Sequence, residues 1–311
     1  MNYKDLPLVT AFTLIYNNAS ICIESIDCIR LNNYPNLEHI IIDDGSNDEF
    51  SINIIENYIK AHNYQCTYIK NDKNVGICKS LNLILKISKG KYIFGLSDDI
   101  IFENKIINDV LAFENLTEDF AVVHSMLQYM NFDGSVKYPF IIPTLDYPKT
   151  FSDDLSLKDI IKSGGLIATP TVLMRKKSLV SVGGWDEDIL YEDTQMWFKL
   201  AFNNLKFHFR AELTTYYRRS LNQISNLNPI ERPGYLIEAT KIYGPYLYLY
   251  ITKKALFSIY LNYVLANNNF EIQKALRFYK KLPYKSYLFY YLFRYNFWGI
   301  FLRFFKKIRI I

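Results

Sequence analysis

Five short apolar runs separated by stretches of helical periodicity fill the first 130 residues, and no other feature narrows the fold as much. Val9 to Tyr16, Leu37 to Asp43, Gln65 to Ile69, Lys91 to Leu96 and Phe120 to Leu127 are of strand length and rich in β-branched or aromatic residues. Between them Ile77, Leu81, Ile84 and Leu85 recur at i, i+4, i+7 and i+8, the spacing of one buried helix face. Asn and Gly close the units, as in Asp44-Gly45-Ser46-Asn47 and Lys89-Gly90-Lys91. Strands alternating with helices predict an α/β domain built on a parallel sheet with helices on its faces. From 131 to 163 the pattern weakens, and Pro139, Pro143 and Pro148 imply an irregular excursion. Order returns with a strand-like run from Thr169 to Arg175, a helix from near Glu192 and a strand-like run from Lys206 to Tyr217.

The net charge of +5 is unevenly placed. Glu271 to Ile311 holds ten basic residues against the single acid Glu271, or +9, so the remaining 26 basic and 30 acidic residues leave the first 270 at −4. An acidic body with a basic appendage argues against nucleic-acid binding and for contact with something anionic. The opening MNYKDLPLVTAF lacks the apolar run of a signal peptide, and no stretch of eighteen uncharged apolar residues occurs, so neither an export signal nor a spanning helix is expected. Cys22, Cys28, Cys66 and Cys78 have no zinc-site spacing and read as small buried hydrophobes of a reducing compartment. Past Asn222 to Pro233 the composition turns to helical runs rich in Tyr, Phe, Leu and Lys, which puts a boundary near 225 between domains 1–225 and 226–311.

Three acidic pairs are the candidates for chemistry. Asp43 and Asp44 leave the apolar run Ile40-Ile41-Ile42 at the carboxyl end of a strand, where α/β sheets bind ligands. There a carboxylate can accept from a nucleobase imide or a ribose hydroxyl, or simply cap the next helix. Asp98 and Asp99 repeat the arrangement after Lys91 to Leu96. Adjacent carboxylates repel unless a divalent cation such as Mg²⁺ or Mn²⁺ offsets them, although the same pair also suits a solvated turn. Glu192 and Asp193 precede Thr194-Gln195-Met196-Trp197-Phe198, where acids complement a helix dipole or, at a site rim, act as general base. His39, His62, His124 and His208 show no metal spacing, and hydrolase elbows, phosphate-binding Gly-Lys loops and Gly-x-Gly-x-x-Gly are missing from the sequence.

In order and spacing these elements resemble the family 2 glycosyltransferases of GT-A fold. The likeness spans roughly residues 6 to 222 and rests on five kinds of segment. They are Val9 to Asn17; Ile40-Ile41-Ile42-Asp43-Asp44-Gly45-Ser46; Asn74-Val75-Gly76 with Asn82; Gly90-Lys91-Tyr92-Ile93 leading to Ser97-Asp98-Asp99; and Gly183-Gly184-Trp185-Asp186 followed by Glu192-Asp193. The resemblance implies a mixed, mostly parallel sheet and a nucleotide-sugar donor, with a leaning toward UDP. Thr13, Tyr16, Asp44, Asn74 and Gly76 then belong to the donor site, Asp98 lies near the ribose, and Asp99 ligates Mn²⁺ or Mg²⁺. Asp193, with Glu192 beside it, matches the base that deprotonates the acceptor hydroxyl for an inverting attack. Tyr216-Tyr217-Arg218-Arg219-Ser220 stands where the family often carries a histidine, and Arg218 and Arg219 are candidates to neutralise the diphosphate.

Fourteen aromatics between Phe278 and Phe305 accompany the basic residues of the tail. Such a stretch suits a helix in an anionic membrane interface, or one packed on the catalytic domain or a second copy of the chain. The expectation is a cytoplasmic enzyme, peripheral at the inner face of the plasma membrane, that acts on a glycan or lipid-linked glycan acceptor. A catalytically silent nucleotide-sugar-binding scaffold and a nucleotidyltransferase are the alternatives, but residues 10 to 22 hold no Gly, Lys or Arg for the phosphate loop of the latter.

Overall fold

The computed structural model describes residues 6–135, 167–187 and 192–219 together with Leu155 and Ile189, all within one compact unit, Met1–Leu221. The expected boundary near 225, the tail 226–311 and most of the irregular excursion lie outside the described residues.

The elements follow the alternation expected of the apolar runs. They are β1 (Val9–Ile15), α1 (Ala19–Arg30), β2 (Leu37–Asp43), α2 (Glu49–Ala61), β3 (Thr67–Lys70), α3 (Ile77–Ile87), β4 (Tyr92–Gly95), β5 (Ile100–Ile101), α4 (Lys105–Glu114) and β6 (Phe120–Asn131). After a 3₁₀ turn at Thr169–Thr171 come β7 (Leu173–Arg175), α5 (Lys176–Ser181), α6 (Glu192–Phe202) and β8 (Lys206–Arg219). The eight strands form one sheet in the order β3-β2-β1-β4-β7-β6-β8-β5. Pairing is parallel among β3, β2, β1 and β4 and between β6 and β8, and antiparallel at β7 and β5. The sheet is therefore mixed and mostly parallel.

Near-continuous burial along β1 and β2 is what a strand covered on both faces requires. Val9, Ala11 and Ile15 share one face of β1, and α1, α2 and α4 cover it through Cys22, Ile26, Ile55, Ile106, Val110 and Phe113. Charge reinforces this packing at one point. Asp109 of α4, fully buried, pairs with both Lys105 and Arg210, which ties the helix to β8. A buried carboxylate is tolerable only with partners of this kind.

Two local expectations are corrected. Thr169 to Arg175 is not a single strand: Pro170 lacks an N–H for a ladder, the chain makes a 3₁₀ turn there, and only Leu173–Arg175 pairs. On α3 the expected positions Leu81, Ile84 and Leu85 are buried, but at the first turn Cys78 is innermost and Ile77 only half-buried.

Candidate active site

Strand direction decides where the acidic pairs meet. β4 and β6 are both antiparallel to the strand between them, and β8 is parallel to β6, so β1, β2, β4, β6 and β8 all end at one edge of the sheet. Tyr16, Asp43, Asp44, Asp98, Asp99, Arg218 and Arg219 all follow or close these strand ends, the edge at which such sheets take ligands.

The first pair is built into the backbone. Asp43 is fully buried, and its Oδ1 accepts the Ser46 N–H at 2.8 Å. Asp44 reaches across to the loop before α3. Its Oδ1 accepts from Asn71 Nδ2 at 2.7 Å and from the Val75 N–H at 3.1 Å, and its Oδ2 from the Gly76 N–H at 3.0 Å. Gly45 permits this approach, since it holds φ +76° and a Cβ there would lie 2.3 Å from the Lys73 carbonyl carbon. Gly76, at φ +94°, caps α3, and Asn74 is exposed just ahead of it.

β1 ends in a second staple. The Tyr16 N–H donates to Asn18 Oδ1 at 3.0 Å, Asn17 takes φ 55° and donates its N–H to Ser46 Oγ at 2.9 Å, and the Asn47 N–H donates to Asn17 Oδ1 at 3.0 Å. Tyr16 itself is 47% exposed at the rim. Thr13 lies deeper: it is fully buried, donates to the Leu96 carbonyl at 2.7 Å and sits 3.0 Å from His39 Nε2. Burial pushes the His39 imidazole down to about 3, so it is a neutral bridge between Thr13 and Tyr64.

The second pair is electrostatically costly. Burial and the neighbouring Asp98 hold Asp99 well above the usual carboxylate range, against the pull of Arg218. Burial raises Asp98 too, with Arg218 again opposing. The Arg218 N–H donates to Asp99 Oδ1 at 2.7 Å. Its guanidinium is buried and donates from Nε to the Asp98 carbonyl at 2.9 Å, from Nη1 to the Phe132 carbonyl at 2.6 Å and from Nη2 to Glu24. Arg219 is exposed, its guanidinium 4.2 Å from the Tyr129 ring centre and 5.9 Å from that of Tyr217.

The third pair opens α6 and is placed by a frame of side chains. Asn82 of α3 accepts the Trp185 N–H and donates to its carbonyl, both at 2.9 Å. Gln195 accepts the Asp186 N–H at 2.7 Å and donates to Cys78 Sγ at 3.3 Å. The Trp185 indole N–H donates to the Glu192 carbonyl at 3.0 Å. Burial, then the charge of Asp193, pushes Glu192 up to about 8. Burial also raises Asp193, while the Thr194 N–H and hydroxyl partly stabilise its anion. Cys78 thus has a structural part, donating also to the Ile189 carbonyl at 2.9 Å.

Asp98 and Asp99 offer hard carboxylate oxygens, the donor set suited to Mg²⁺ or Mn²⁺. Among the described residues no group of three or more His, Cys, Asp or Glu side chains is placed to hold a metal by itself. An ion that binds through one or two carboxylates and completes its shell from phosphate oxygens and water fits the residues present.

This mostly parallel sheet with acids along its carboxyl edge has the GT-A fold, as its likeness to solved glycosyltransferases shows. The profile of glycosyl transferase family 2 matches residues 10–179, and the chain belongs to that family. It is 29% identical over 247 residues to an uncharacterized glycosyltransferase of Rickettsia prowazekii (strain Madrid E), covering 76% of this chain and 73% of that one. The fold is similar to that of S. aureus TarS 1-349 in complex with UDP-GlcNAc, with a TM-score of 0.64, 15% identity, and 90% and 82% of the two chains covered. It is also similar to mannosyltransferase PcManGT from Pyrobaculum calidifontis in complex with GDP-Man and Mn²⁺, with a TM-score of 0.56, 14% identity, and 92% and 79% covered. The chain is a glycosyltransferase.

Proposed function

We propose that this glycosyltransferase transfers a sugar, with inversion, from a UDP-sugar to a hydroxyl of a glycan or lipid-linked glycan. The observation that carries the reading is a run of contacts from the end of β2 to α6. Asp44 binds the Gly76 N–H, Cys78 two residues on binds Gln195, and Asp193 lies two residues before Gln195. These contacts link Asp193, the base in this reading, to the end of β2, its donor half, and so support the reading.

In this reading Tyr16 and Asp44 meet the nucleobase, Thr13, Asn74 and Gly76 shape its seat, and Asp98 meets the ribose. Asp99 ligates the cation, Arg219 adds positive charge near the diphosphate, and Arg218 bears on it from beneath Asp98 and Asp99. When bound, Mn²⁺ or Mg²⁺ supplies charge stabilisation to the leaving diphosphate. Burial and the adjoining carboxylate raise Glu192 to about 8 and burial raises Asp193 as well, so the pair at the head of α6 favours holding a proton. Asp193 takes the proton of the acceptor hydroxyl as its oxygen bonds to the anomeric carbon. The bond from that carbon to the diphosphate oxygen breaks on the opposite face. A carboxylate raised by burial is a stronger base than a solvated one, which favours this transfer. The +9 tail is assigned to an anionic membrane surface that presents the acceptor.

Thermal-shift titration with a panel of UDP- and GDP-sugars, with and without Mn²⁺ and with anionic liposomes in a further arm, tests the reading. A UDP-sugar that raises the melting temperature only with Mn²⁺, and is then turned over with release of UDP, supports it. Stabilisation without turnover of any donor would identify a silent binding protein instead. Failure to co-sediment with the liposomes would remove the membrane contact.

A further inference from the structure

Two consecutive carbonyls of the Asp98–Asp99 turn are anchored from below. Arg218 Nε donates to the Asp98 carbonyl at 2.9 Å, and Ser25 Oγ of α1 donates to the Asp99 carbonyl at 2.7 Å. These carbonyls belong to the peptide planes on either side of the Asp99 Cα. Holding both planes fixes the two dihedrals of Asp99 and hence the direction of its Cα–Cβ bond. The Arg218 N–H adds a third hold at Asp99 Oδ1, at 2.7 Å. Nη1 and Nη2 then brace the guanidinium against the Phe132 carbonyl and Glu24.

The fork therefore joins four parts of the molecule: the turn after β4, the end of β8, the segment after β6, and α1. A planar guanidinium with donors in three directions can do this, and a lysine ammonium on a flexible stem cannot reproduce it. Arg218 is 2% exposed and Ser25 fully buried, so both face protein groups rather than a ligand.

We propose that Arg218 and Ser25 are positioning residues that preset Asp98 and Asp99 for a cation-bound nucleoside diphosphate, and that Arg218 acts through these carboxylates rather than by touching the diphosphate. The functional half rests on reading the pair as the donor site. Arg175 supplies the control. It too is a buried arginine bound to a backbone carbonyl, that of Phe120 at 2.9 Å, but it lies at the opposite edge of the sheet, paired with Tyr92 at the start of β4.

The experiment compares R218K, S25A and R175K in the full chain by two readouts. In the first, amide hydrogen exchange is followed by mass spectrometry across residues 96–101. R218K and S25A should speed exchange there and leave β1 unchanged, with no such effect from R175K. Unchanged exchange in R218K overturns the positioning role. In the second, Mn²⁺ uptake with UDP or GDP is read from the electron paramagnetic resonance signal of the free ion. R218K and S25A should weaken nucleotide-dependent uptake roughly tenfold, the low end for groups that orient metal-binding residues. An equal loss in R175K would reduce the effect to general destabilisation and overturn the proposal. No uptake by the unmodified protein with either nucleotide defeats the donor-site reading, and with it the functional half, while the exchange readout still decides the anchoring.

Discussion

Asp44 and Asp99 end two parallel strands of one sheet with the same local pattern, the second acid of a pair after an apolar run, yet the fold treats them in opposite ways. Asp44 spends both oxygens on three N–H donors, Asn71 Nδ2 and the backbones of Val75 and Gly76. Asp99 receives one backbone N–H, lies beside another carboxylate, and is held well above the usual carboxylate range by burial and that neighbour. Glu192 and Asp193 resemble the second case, with burial raising both. The difference teaches that an acid at a strand end becomes a staple when a loop folds its N–H groups over it. Left to face another carboxylate under burial, it becomes a place where a cation or a proton is welcome.

This contrast can be broken at either end. The largest effect is expected at the head of α6. Asp193→Asn should slow transfer by about 10²–10⁴-fold, the usual contribution of a positioned base, while nucleotide binding is retained. Single-turnover product formation alongside equilibrium nucleotide binding measures both, and near-normal turnover would rule out Asp193 as the base.

The next effect belongs to the staple. Asp44→Ala should cost about 3 kcal/mol of stability, because hydrogen bonds to a charged group are worth roughly 1.5–3 kcal/mol each and the Val75 and Gly76 N–H groups lose their acceptor. Urea denaturation with an unchanged slope would read this directly. A loss below about 1 kcal/mol would show that the loop does not depend on the carboxylate.

The smallest effect is a pH dependence. Glu192 has its folded value raised from 4.5 to about 8, so the folded chain holds a proton that the unfolded chain releases. Its contribution to stability is complete below pH 4.5 and is lost as pH rises through about 8. Glu192→Gln keeps the neutral form at every pH. The variant's melting temperature should therefore rise relative to the unmodified protein by a few degrees between pH 5 and pH 8. A difference that stays constant across that range would show that Glu192 ionises freely in the folded chain.

Much of the fold was legible because period and length are local properties. The apolar runs mark β1, β2, β3, β4 and β6 to within a few residues, and the helix at Glu192 begins where its acids and the following apolar pattern place it. β5, only two residues long, and the six-residue α5 carry too few positions for a period to show. Pro170 breaks the strand although Val172, Leu173 and Met174 continue its apolar pattern, because a residue without an N–H cannot extend the ladder. Asn82, quoted within a motif, shows its part only when the Trp185 backbone is brought against it. Ser25 and Gln195 had no signal at all, since a single polar residue on a helix looks the same whether it faces solvent or a distant carbonyl.

The sequence by itself determined that acids stand at the ends of strands, that a basic, aromatic tail follows an acidic body, and that the motif order belongs to one family of transferases. Those are matters of composition, period and spacing, which no packing can alter. Only the tertiary structure decided that Asp44 is stapled to the loop before α3, that Arg218 turns inward beneath Asp98 and Asp99 while Arg219 rests against Tyr129, and that Cys78 and Gln195 join α3 to α6. Each of those outcomes depends on which N–H group or charge from elsewhere in the chain arrives within hydrogen-bond reach. That in turn is fixed by the direction and register of strands as far apart in sequence as β4 and β8.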